Sequence, residues 1–147
     1  MRADLAVRAV HRGDMRIDVY VRDRILPIDY PSRPGADPTP LEVLLASLAA
    51  CAGNTLNMVL RRKFGAKLDS LEVEARAERR EEHPTVLAVI ELVYRLRGEE
   101  IAPERLDRAI RLAEGQLCPV IAMLRPGTKI TSSVKSDWSA HQRTFHE

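Results

Sequence analysis

The stretch that most constrains how this chain can fold runs from Thr39 to Lys63, TPLEVLLASLAACAGNTLNMVLRRK. Proline at the first helical position brings the right φ and no amide to waste, and Thr-x-x-Glu can satisfy the free amides of the first turn reciprocally. From Leu41 to Cys51 almost every residue is apolar or small, so the expectation is a central helix over 39–63 buried on all sides. Arg61, Arg62 and Lys63 suit the negative end of the helix dipole, and Gly65 stops the helix. The helix also carries Cys51, one of two cysteines in the chain.

A chain of 147 residues is expected to form one domain over 1–147. Aromatic residues are only 4%, so its core must be aliphatic. No run of about 18 consecutive apolar residues and no signal-peptide pattern is read, which points to a cytoplasmic protein with no membrane partner. The net charge of +2 does not ask for a nucleic acid. The arginines alternate with acids, as in Glu78-Arg79-Arg80-Glu81-Glu82, the pattern of a solvated, ion-paired face.

Around the helix the periodicity is mostly two. Leu5, Val7 and Ala9 alternate with polar neighbours, as do Met15, Ile17, Val19 and Val21, with His11-Arg12-Gly13-Asp14 as the turn between them. Five prolines between Pro27 and Pro40 predict a loop that feeds the helix. Leu71, Val73, Ala75 and Ala77 form one face of a strand, with Glu72, Glu74, Arg76 and Glu78 opposite. A turn at Glu81–Pro84 leads to a strand from Thr85 to Arg97, apolar on both faces through Ile90 and therefore central or covered by a partner. Pro103–Gly115 is a second helix facing inward through Leu106, Ala109, Ile110 and Ala113. Pro119–Leu124 is a short helix, Thr128–Trp138 a last strand and Ser139–Glu147 a frayed tail. The fold class is α+β.

The second cysteine, Cys118, precedes Pro119 and so falls at the start of the short helix. Amide donors and the positive dipole end there favour a thiolate. Cys51 lies mid-helix, with no terminus to assist it. The spacing excludes a Cys-x-x-Cys redox motif and structural zinc, and the four histidines (11, 83, 141, 146) are scattered, so no metal is expected. From the residues alone, two unrelated buried thiols are the simpler reading.

The helix opening Pro-x-Glu and running through Leu-Leu-Ala-x-Leu-Ala-Ala-Cys, together with the later Cys-Pro-Val, resembles the OsmC/Ohr family, in its broader OsmC-like branch. The resemblance covers Asp4 to Trp138. It implies an OsmC-like fold, antiparallel sheets wrapped around two helices in an intertwined homodimer. It further implies a thiol peroxidase acting on organic hydroperoxides in oxidative stress defence, with Cys51 as the peroxidatic and Cys118 as the resolving cysteine. No bound cofactor is implied, only an external dithiol reductant. Typical members carry a glutamate ten residues before the cysteine, paired with an activating arginine. Leu41 holds that place here, and Glu42, half a turn off, reads as the partner of Thr39 in the cap. Arg12 and Arg33 are the candidate arginines. Leu44, Ser47, Leu48, Asn54, Thr55 and Met58 share the Cys51 face and are expected to line a pocket or a dimer seam. The alternative reading is a non-catalytic OsmC-like protein that binds a small apolar ligand or an electrophile.

Overall fold

A computed structural model describes residues 4–138 and 143–145. It divides into two compact units, Met1–Leu44 and Leu45–Glu147. The boundary falls inside the long helix.

The first unit is a three-stranded antiparallel sheet, β1 (Arg8–Gly13), β2 (Arg16–Val21) and β3 (Arg24–Ile28), in that order. Asp14, at φ 45°, turns the first hairpin directly after Gly13 at φ 119°. The expected strand start at Leu5 is too early: pairing begins at Arg8 opposite Tyr20, and Leu5 is 98% exposed. β3 lies in a stretch where no strand was expected, because Pro27 falls inside it. As an edge strand it tolerates a residue without an amide, and Pro27 sits opposite Asp18. The remaining prolines do form a loop, which leads into helix α1 (Pro40–Phe64).

The second unit holds most of α1 and a four-stranded sheet in the order β4 (Leu68–Arg79), β5 (Leu87–Gly98), β6 (Lys129–Ser136), β7 (Arg143–Phe145). β4 and β5 form the expected long hairpin, and β5 is central. Their register sets Leu71, Val73, Ala75 and Ala77 beside Leu96, Tyr94, Leu92 and Ile90 on one face. On the other face Glu72 and Glu74 lie within 3.0 Å of Arg95. β6 pairs with β5 in parallel, against the expectation of purely antiparallel sheets. A parallel neighbour requires a crossover connection, and α2 (Pro103–Leu112), a wide π-type turn (Ala113–Leu117) and α3 (Pro119–Leu124) supply it. Residues 143–145, expected in a frayed tail, form β7 against β6; the rest of that tail lies outside the described residues.

The expectation that α1 is buried on all sides is not met in this chain. Leu48, Ala52, Leu56, Val59 and Leu60 are buried, while Ala46, Ser47, Ala50, Asn54 and Met58 are exposed. The buried stripe meets β4 closely at Gly53, where a Cβ would stand 3.0 Å from Val73 Cγ2. By length and composition α1 is long and apolar enough to cross a membrane, with a mean hydropathy of 1.7 over 18 residues, although polar residues such as Asn54 and Asn57 interrupt its apolar run. Leu48, Leu56 and Leu60 are nevertheless fully buried within the protein. Gly65, at φ 63°, ends the helix, and the amide of Ala66 returns to Leu60 O at 2.9 Å.

Candidate functional site

Cys51 and Cys118, 67 residues apart in the chain, meet in the second unit with their sulfurs 3.2 Å apart. They are free thiols, and Cys118 is the donor toward Cys51. Three local features make the meeting possible. Cys51 is positioned by α1 and is half-buried. Its carbonyl is capped by Thr55, whose hydroxyl donates at 2.7 Å from the next turn of the same helix. Cys118 is the residue before α3, in an extended conformation, with its amide returning to Ala113 O at 2.8 Å to close the wide turn.

The expectation that the start of α3 favours a Cys118 thiolate is corrected here. The amides of Ile121 and Val120 do pull its acidity in that direction, but burial outweighs them, and Cys51 beside it adds to the effect. The thiol is only 2% exposed, and its pKa is raised. Two amides at the head of a six-residue helix replace little of the hydration that a thiolate there would lose. Burial therefore favours the protonated form of Cys118.

A second group, in the turn that leads to Cys118, was not anticipated. Glu114, in the wide turn, is 8% exposed, and each of its carboxylate oxygens accepts from a hydroxyl. Tyr94 donates to Oε1 at 2.9 Å from β5, and Ser132 donates to Oε2 at 3.1 Å from β6. The Tyr94 hydroxyl is pushed far above its ordinary acidity range, first by burial, then by the charge of Glu114, with smaller contributions from Cys118 and Cys51. The phenol is thus hydrogen-bonded to the carboxylate and close enough to both sulfurs to feel their charge. One signal was present: Glu114 is four residues after Ile110, on the apolar face of the second helix, where an acid needs partners.

The other expected residues divide. Leu48 and Thr55 are buried beside Cys51 along the helix, Leu44 is half-buried, and Ser47, Asn54 and Met58 are exposed. A groove of about 450 Å³ is lined by Ala49, Ala50, Gly53 and Asn54 on α1 and by the start of β4, and neither cysteine lines it. Glu42 is the helix cap: its carboxylate accepts from the Thr39 amide at 2.7 Å, and its own amide donates to Thr39 Oγ1 at 3.3 Å. Within the first unit Arg12 pairs with Asp18 at 3.1 Å and donates to Tyr20, and Arg33 pairs with Asp29 at 3.1 Å. Each has a local carboxylate of its own. Among the described residues no group of three His, Cys, Asp or Glu is placed to hold a metal ion.

A two-sheet α+β chain that brings a mid-helix cysteine against a helix-start Cys-Pro defines a class of paired-thiol proteins. The comparisons with known proteins give that class its name. The OsmC-like protein family matches residues 33–133, and the chain belongs to it. Protein YhfA of Escherichia coli K12 is 29% identical over 96 residues, 65% of this chain and 71% of YhfA. An OsmC-like protein from Mycoplasma pneumoniae superposes with a TM-score of 0.82 at 20% identity, over 92% of this chain and 99% of that one. An organic hydroperoxide resistance protein OsmC from Legionella pneumophila superposes with a TM-score of 0.71 at 15% identity, over 90% and 97% of the two chains. At these identities the superpositions establish the fold.

Proposed function

We propose that this protein is a thiol peroxidase for organic hydroperoxides, with Cys51 attacking and Cys118 resolving. The observation that carries the reading is the 3.2 Å approach of two sulfurs from distant parts of the chain, with Cys118 donating to Cys51. The chemistry balances in three steps. The Cys51 thiolate attacks the distal peroxide oxygen, the O–O bond breaks, and Cys51 becomes a sulfenic acid while the alkoxide takes a proton and leaves as an alcohol. Cys118 then attacks the Cys51 sulfur, forming a disulfide and releasing water. An external dithiol reduces that disulfide by exchange and is itself oxidised.

The relatives named for organic hydroperoxide resistance support the substrate class. A homodimer belongs to the same reading and is supported by the exposed small-residue side of α1. The test is peroxide loss from cumene hydroperoxide plus a dithiol, followed for the wild type, Cys51→Ser and Cys118→Ser. The wild type should turn over, Cys51→Ser should be inert, and Cys118→Ser should react once and stall as an oxidised monothiol. No peroxide loss from reduced wild type would overturn the reading in favour of a non-catalytic binding protein.

A further inference from the structure

The resolving step sets a problem that the thiol pair does not solve alone. Cys118 must lose a proton to attack, yet it is buried and burial favours its protonated form. The hydroxide that leaves half-buried Cys51 must gain a proton. One buried carboxylate adjoins this place. Glu114 sits in the turn that the Cys118 amide closes, and its Oε1 holds the Tyr94 hydroxyl at 2.9 Å. That hydroxyl in turn lies near enough to both sulfurs for their charges to act on it. Ser132 fixes the other carboxylate oxygen at 3.1 Å, so the carboxylate is held from two strands.

We propose that Glu114, acting through Tyr94, is the proton acceptor and donor for the resolving step. The Cys118 proton passes to the Tyr94 oxygen as Tyr94 gives its own to Glu114 Oε1. The Cys118 thiolate attacks the Cys51 sulfur, the S–S bond forms and the S–O bond breaks. The proton returns from Glu114 through Tyr94 to the departing hydroxide, which leaves as water. The sum is thiol plus sulfenic acid giving disulfide plus water, with Glu114 and Tyr94 restored and no outside reactant consumed. Tyr94 is the group near the reacting atoms, and Glu114 is a positioning and proton-holding residue behind it. The turn Ala113–Leu117 is wound wider than the helix before it; Glu114 lies within it and Cys118 directly follows it.

This role rests on Cys51–Cys118 disulfide chemistry, but it can be tested without a peroxide. Reduced protein is mixed with 4,4′-dithiodipyridine. Cys51 attacks it and releases one thiopyridone; Cys118 then attacks the mixed disulfide and releases a second. Glu114→Gln should leave the first phase within about twofold and slow the second about a hundredfold, the scale of positioned proton transfer. The second phase of the variant should then climb with pH, because hydroxide must take the Cys118 proton, whereas that of the wild type should stay flat between neutral and mildly alkaline pH. Among the described residues Tyr94 and Ser132 bond to Glu114, and Tyr94 feels both thiols, so the climb is assigned with Cys118→Ala, which must lose the second phase altogether. Tyr94→Phe keeps the ring, should reproduce both effects, and carries the test alone if Glu114→Gln does not fold. A folded Glu114→Gln or Tyr94→Phe with a wild-type second phase would overturn the role. Two normal phases in a wild type that ignores cumene hydroperoxide would instead overturn the peroxidase reading and leave this role standing.

Discussion

Oxidation of the thiol pair should stabilise the protein by an amount that follows from where the cysteines lie. The pair is 67 residues apart, so a disulfide closes a long loop in the unfolded chain. Loop-closure entropy for that length is worth about 4 kcal/mol at room temperature. Against it stands the movement needed for bonding, from 3.2 Å to a bond of about 2.0 Å. Cys118 has the freedom to make most of that movement, since it lies between a wide turn and a six-residue helix rather than within a long one. Cys51 is fixed in mid-helix. Strain at Cys118 should therefore remove only part of the gain, leaving about 2–4 kcal/mol. For a chain of this size that raises the melting temperature by about 10 °C. The assay is thermal unfolding of the protein oxidised by one equivalent of hydroperoxide, against reduced protein and Cys51→Ser treated identically. Thiol titration confirms that the oxidised sample has lost both thiols. An oxidised form with both thiols consumed that melts at or below the reduced form would refute the argument, because the bond would then require a rearranged native state.

Further outcomes follow from other contacts. Thr39→Ala removes the hydroxyl that accepts from the Glu42 amide and should cost about 1 kcal/mol, read from the denaturant midpoint. The Thr39 amide holds the Glu42 carboxyl below its ordinary range. This contribution is complete above the usual carboxylate pKa and is lost as pH falls through the lowered folded value, so Glu42→Gln should flatten the acid side of the stability profile. At Gly53 a Cβ would crowd Val73 Cγ2 at 3.0 Å and touch Leu71 Cδ2 at 4.0 Å, so Gly53→Ala should be near neutral, its crowding offset by about 1 kcal/mol of helix propensity. Gly53→Val has no such room and should cost about 1–3 kcal/mol, measured the same way.

The architecture was legible where local chemistry decides it. Thr39, Pro40 and Glu42 announce the start of α1, Gly65 its end, and the alternation from Leu71 to Glu78 the strand beside it. What failed depended on distant partners. Pro27 argued against a strand, yet an edge position makes its missing amide harmless. The apolar run of α1 implied burial all round, but Ala46, Ser47 and Ala50 are small enough to stay exposed without a large apolar patch, so composition could not say which faces this chain covers. β7 was hidden because three residues carry too little pattern to outweigh their place near the end of the chain. The cysteines were readable as a pair only through family resemblance, since no spacing rule links residues 67 apart.

Cys118 illustrates best why a site cannot be read from one element. Its position before Pro119 correctly implied amide donors at the sulfur, and those of Val120 and Ile121 act in the expected direction. The sign of the result was decided elsewhere. The thiol is buried, and desolvation of an anion grows with every wall added, while the number of helix amides is fixed. The same packing fits the proposed roles. A half-buried cysteine that receives an S–H is suited to attack an incoming molecule, and a buried one that keeps its proton is suited to wait. Waiting has a cost, because a protonated thiol does not attack a sulfenic acid. If Cys118 resolves as proposed, a thiol this deeply buried needs a proton acceptor nearby, which would give the paired hydroxyls of Tyr94 and Ser132 on Glu114 a reason to be there.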